Sequence, residues 1–269
     1  GLTTSQIGQV TSAQVNALTS LQVSGLTTAQ VAAFSSSQVE ALTSINLVGL
    51  GSAQLAAITT SALSGFESRD IAALVSTQVP GFTSSQLVLI TSDQIAALST
   101  ASFGALSTAQ IAAISTSAIT GIETRDLAAL KSAQIAAFTT SQVARLTSAQ
   151  IDGLAAAQVS ALTTSQVATI NSTQLASLNT ANIAGLSAAQ IGALSTSALA
   201  GFEAVDISAL TSAQVSGFTT SQLKLISSVQ LAAFTSANIA GLSSAQVQGI
   251  GTSAIAGLET RDLVVLSAA

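Results

Sequence analysis

Most of the few charged residues in this sequence collect in four short blocks: Glu67-Ser68-Arg69-Asp70, Glu123-Thr124-Arg125-Asp126, Glu203-Ala204-Val205-Asp206 and Glu259-Thr260-Arg261-Asp262. Two carboxylates three residues apart at a helix start offer hard oxygen ligands, which is the chemistry of a Ca2+ site. Glu67, Asp70, Glu123, Asp126, Glu203, Asp206, Glu259 and Asp262 are therefore the metal candidates. Each block has only two carboxylates, however, and lacks the Gly and Asp density of a calcium loop. The same residues fit an acidic helix cap, since carboxylates favour a helix N-terminus and an Arg between them can pair locally. Val205 stands where the other three blocks have Arg, which argues against an obligatory Arg role.

Other chemistries find little to work with. His, Cys, Met, Trp and Tyr are absent, which removes the commonest general base, thiolate ligands and haem ligands. Ser is abundant, but no base accompanies it, and Lys131 and Lys224 sit alone. The sequence predicts no catalytic residue, no cofactor and no enzyme activity. Six Lys and Arg against 11 Asp and Glu cannot form the basic patch that nucleic acid requires. Mean hydropathy is +0.64, yet Thr, Ser or Gln interrupts every apolar run well short of the ~18 residues a transmembrane helix needs. Neither end reads as a signal peptide. The sequence starts at Gly1 already in repeat phase and stops inside a repeat at Ala269, as a segment of a longer protein would.

What must position these blocks is a repeat. Large apolar residues recur every eighth position from Leu2, Val10 and Leu18 to Leu266, with a second series five residues after each, from Ile7 to Leu263. Thirty-three octads run from Thr3 to Leu266 without insertion or deletion, so residues 1–269 form one continuous array. A single long helix fails, because eight residues at 100° wind the apolar stripe around the axis. A single strand fails too, because spacings of five and three put the two series on opposite faces.

The octad Thr27-Thr28-Ala29-Gln30-Val31-Ala32-Ala33-Phe34 shows what the repeat encodes. Numbered from one to eight, it has a capping hydroxyl at position 1 and Gln at position 4, the two halves of a capping box. The apolar residues before position 1 and at position 5 form the matching hydrophobic staple. Gln fills position 4 in 21 of the 33 octads, so the chain restarts a helix every eight residues. Helices this short survive only by stacking. Ala or Gly at position 7 allows close approach. The predicted fold is an all-α solenoid of very short helices, one per octad. A β-solenoid is the alternative, favoured by the Val, Ile and Thr content. The eight Phe all stand at apolar repeat positions and read as core.

A longer period is nested inside the octad. Each acidic block follows an octad with Ala at position 4 (Ala62, Ala118, Ala198, Ala254), and three octads earlier that position holds Asn46, Ser102, Asn182 or Asn238. The blocks are seven, ten and seven octads apart, and Leu87-Val88-Leu89-Ile90 matches Leu223-Lys224-Leu225-Ile226. If the blocks share one side of the superhelix, about 3.4 octads make a turn.

Strings such as Leu146-Thr147-Ser148-Ala149-Gln150-Ile151 and Ile122-Glu123-Thr124-Arg125-Asp126-Leu127 resemble the LTTAQVAAL-type arrays of large proteobacterial adhesin-like exoproteins. The resemblance covers the whole chain. It implies an extracellular, cell-surface location and a structural role as rod, stalk or filament. Head-to-tail or lateral self-association goes with that role, because an uncapped solenoid end invites continuation. The alternative is a repeat-array adhesion module that binds Ca2+ or a partner at the acidic octads.

Overall fold

The computed structural model describes residues 1–266, and most octads in it open in the same way. Thr27 is extended, with φ −74° and ψ 159°. Its hydroxyl accepts the N–H of Gln30 at 3.2 Å, while the Gln30 side-chain oxygen accepts the N–H of Thr27 at 2.7 Å. Two of the orphan donors at the helix start are thus satisfied reciprocally. The helix that follows, Thr28–Ala32, is five residues long. It ends where the N–H of Phe34 turns back to the carbonyl of Val31.

Twenty-eight such α-helices of four to seven residues occur among the described residues, together with five 3-10 helices and no strand. The fold is an all-α solenoid, and the β-solenoid alternative is overturned. The capping boxes explain the outcome: they fix the dihedrals at each helix start, which β-propensity summed over Val, Ile and Thr cannot oppose.

Where position 4 loses its side chain, the helix type changes. Ala62, Ala118, Ala198 and Ala254 have no amide to close a box, and their octads form the 3-10 helices Ala62–Gly65, Ile119–Gly121, Ala198–Gly201 and Ile255–Gly257. The fifth, Val79–Gly81, contains Pro80, whose missing N–H costs least near a helix start.

The chain divides into two compact units, Gly1–Ala137 and Phe138–Ala269. Within each, an octad packs on the third and fourth octads before it. In the first unit the Gln38 amide donates to the carbonyls of Ile7 at 2.8 Å and Val10 at 2.7 Å, 31 and 28 residues earlier. In the second, Gln174 donates to Val143 and Leu146 at the same separations. Gly49 passes so close to Ser20 in the turn before it that a Cβ would overlap its carbonyl, and Gly201 meets Ser172 identically. The stacking offset is therefore about 28 residues, or about three and a half octads per turn. Both apolar series line the interior: Val31, Leu47 and Leu55 at position 5 and Leu42, Leu50 and Leu98 at position 8 are all buried. All eight Phe belong to this core, and Phe202, Phe218 and Phe234 form a chain of ring contacts at 6.0 Å.

Candidate functional site

The position-4 glutamines are the most heavily used polar residues in the molecule. Gln86 is buried, accepts the N–H of Thr83 at 2.7 Å, and donates to the carbonyls of Leu55 at 2.9 Å and Ile58 at 2.8 Å. It closes its own helix and ties that helix to the turn beneath. Capping alone suggests an exposed Gln; the buried, bridging role corrects that expectation. A signal for it was present: a capping box accepts Glu as readily as Gln, yet no Glu occupies position 4 in any octad. Only a side chain that donates can serve the carbonyls below. Ser102 donates to Leu74 at 3.0 Å, and Asn46 and Asn238 donate to Val15 and Ile207 at 3.3 and 2.8 Å.

The acidic blocks sit in the same frame. Glu67 takes the cap position and Asp70 position 4, and the Asp70 carboxylate accepts the N–H of Glu67 at 2.9 Å. Glu67 is exposed and Asp70 buried. Arg69 bridges them from outside, 3.2 Å from Glu67 and 3.6 Å from Asp70. Arg125 pairs with Glu123 and lies 3.8 Å from Asp126, and Arg261 pairs with Glu259 at 2.9 Å and lies 3.8 Å from Asp262. Glu203 and Asp206 share a block without a cation, because Val205 takes the place of Arg. Within a block the carboxylates thus diverge, one to solvent and one to the core. Among the described residues, no group of three or more acidic side chains converges.

Burial pushes Asp70, Asp126 and Asp206 above the ordinary carboxylate value of 3.8. At Asp70 and Asp126 the neighbouring guanidinium and hydrogen-bond donors pull the other way; at Asp206 the Glu203 charge adds to the rise. The Thr100 hydroxyl donates to Asp126 at 2.6 Å, and the Ser236 hydroxyl to Asp262 at 3.2 Å, each from the neighbouring turn. The second Asp126 oxygen is buried with no hydrogen-bond partner.

The turn arithmetic places the blocks within each unit. Gln94 donates to Phe66 in the turn before it, and Gly121 packs on Ser92 in the turn before that residue's successor, so Glu67 and Glu123 lie two turns apart on one side. In the second unit Gln230 on Phe202 and Gly257 on Ser228 relate Glu203 to Glu259 in the same way. Exposed Glu40 and Asp93 fall about one turn before and one turn after Glu67, which makes a column of four acids in the first unit.

Two shallow grooves also recur. Thr60, Leu63, Leu89 and Gln94 line the first, and Thr196, Leu199, Leu225 and Gln230 the second, at equivalent positions seventeen octads on. The second is also lined by Phe202, Glu203 and Val229. The paired Leu89 and Leu225 strings are legible in the sequence as a duplication, but their exposure is not, because both stand at position 7, which is small in most octads.

No helix among the described residues is long and apolar enough to cross a membrane. No curated protein matches the chain. Three stretches, residues 63–100, 119–156 and 167–203, match the ALTTAQ repeat model. Each match begins at a position-5 apolar residue, Leu63, Ile119 or Val167, so the model and the octad share one phase. The chain is a tandem repeat protein.

Proposed function

We propose that this chain is a structural, non-catalytic body segment of an extracellular protein at a bacterial cell surface, working as rod, stalk or filament. The observation that carries the reading is the double use of Gln86 and its equivalents. The polar residue that fills position 4 in 21 of the 33 octads is spent on holding turn to turn, so little is left over for chemistry. The missing His and Cys point the same way. Lateral self-association draws support from the column Glu40, Glu67, Asp93 and Glu123, interleaved with Arg69 and Arg125, which offers both signs of charge to a neighbouring copy. Electron microscopy of the purified chain tests the reading: elongated particles that lengthen with added octads are expected, and compact ones of fixed width would overturn it. Protease treatment of intact cells of the source organism tests the location, with cleavage expected without lysis.

The recurring grooves favour a second reading, a binding module of the adhesin-like kind. Leu89→Ser and Leu225→Ser together would then abolish attachment of the chain to its target surface while leaving the melting temperature unchanged. Under the structural reading, attachment and assembly are indifferent to both.

A further inference from the structure

Position 4 holds five residue types, and three of them solve one problem. Beneath that position lies the backbone carbonyl of a buried position-8 residue in the preceding turn. Gln and Ser donate to that carbonyl, and Asn donates instead to a position-5 or position-6 carbonyl of the same turn. Ala supplies none, and its octad becomes a 3-10 helix. Asp is the exception. Asp70, Asp126 and Asp206 keep α-helical octads, Ser68–Ala73, Thr124–Ala128 and Ala204–Ala209, with an acceptor where a donor belongs. The equivalent carbonyls in the turns before them belong to Leu42, Leu98 and Leu178, all buried. None of the three accepts a hydrogen bond among the described residues.

We propose that Asp206 works as a neutral carboxylic acid, its O–H donating to the backbone carbonyls of the turn beneath as the amides of Gln and Asn do. It is a proton-held clasp in an otherwise amide-held coil. Asn182 and Asn238, one carboxamide for one carboxyl in shape, show that a side chain of this length reaches the turn below, at 3.1 and 2.8 Å. An ionised Asp206 would set a buried negative charge against buried carbonyl oxygens, an arrangement that is costly without a cation. None is at hand. The helices packed on it, Thr180–Ile183 and Ser228–Ala232, carry no charged residue, and its own helix start carries only Glu203, whose charge repels while its backbone hydrogen bond pulls the other way. Asp70 and Asp126 stand at the same octad position in other company: Arg69 and Arg125 oppose protonation there, as Glu67 and Glu123 favour it, the Thr100 hydroxyl donates to Asp126, and Asp93 lies on the helix packed over Asp70. Asp206 is the clearest case.

The linkage has a definite sign. A carboxyl raised by folding stabilises the fold fully below its unfolded value near 3.8, and that stability is lost as pH rises through the folded value. The clasp is closed in acid and opens towards alkali, opposite to the usual salt-bridged carboxylate. An array carrying it at fixed octads softens locally at defined places when the surroundings become less acidic.

The test uses the whole chain. Asp206→Asn supplies a permanent amide donor, so its melting temperature should exceed wild type by about 2–4 °C at neutral pH and converge with it in acid. In wild type the infrared carboxylic-acid band should persist above the pH at which the exposed carboxylates lose theirs, and D206N should remove part of that remainder. Asp206→Ser, after the precedent of Ser102, carries the same comparison if D206N does not fold. A neutral-pH melting temperature lowered by both variants, or a band that vanishes together with the exposed carboxylates, overturns the proposal. So does a Ca2+-dependent rise in wild-type melting temperature that D206N abolishes, since the pocket would then hold a metal ion and not a proton.

Discussion

Gln86 and Gln6 hold the same octad position but different amounts of structure. Both accept their cap N–H, at 2.7 and 2.8 Å, yet only Gln86 is buried and reaches a turn beneath. Gln86→Glu keeps the cap and loses the donor, leaving the buried Ile58 carbonyl unserved and the Leu55 carbonyl with the Ile58 N–H alone, so urea unfolding should show a loss of about 1–3 kcal/mol at neutral pH. Gln6→Glu should cost almost nothing. Equal effects would mean that capping is the whole role of Gln. In the apolar series, Leu146→Ala empties a buried position and should cost about 2–5 kcal/mol in the same assay. The capping residues were legible from the sequence because a cap is a local contract between neighbours three apart. The carbonyl partners were not, because they lie 28 and 31 residues away, at an offset that packing decides.

At the scale of the element, helix type follows one side chain. Apart from the Pro80 octad, where Gln78 precedes the 3-10 helix Val79–Gly81, an octad with Gln at position 4 is α-helical and one with Ala is 3-10, as Ala188–Ala193 and its successor Ala198–Gly201 show. The sequence marked those Ala octads as departures from the pattern without indicating what they become, since an isolated Ala favours α-helix as much as anything. Position-7 glycines bring backbones together in both kinds of octad: at Gly121, as at Gly49, a Cβ would overlap a carbonyl of the turn before, while at Gly25 the nearest atoms are an ordinary 3.6 Å away. Gly121→Ala should therefore destabilise by about 1–3 kcal/mol through overpacking. Gly25→Ala, in a helical conformation with room to spare, should stabilise by about 0.4–1 kcal/mol. Differential scanning calorimetry of the two variants separates a demand for space from a general dislike of side chains at position 7.

Across the whole molecule, each octad answers only to its neighbours in the coil, so stability should approximate a sum over octads. Removing residues 107–114, one complete octad, should lower the melting temperature only slightly, because later glutamines find equivalent carbonyls. Removing Ala112 alone shifts every later apolar residue out of the core and should unfold much of its unit. Thermal melts of the two deletions check this directly. The whole-octad deletion is nevertheless not silent. With about three and a half octads to a turn, one octad more or less swings the downstream coils of its unit through roughly two sevenths of a circuit, and two octads through four sevenths. Only at seven octads does the count of repeats coincide with a whole number of circuits, like the marks of a vernier falling into line. The seven octads from Glu67 to Glu123, and again from Glu203 to Glu259, are that coincidence. A lineage that lengthens such an array while keeping one side facing its neighbour is thus confined to a coarse step, and single octads become a means of re-aiming a surface at little change in stability.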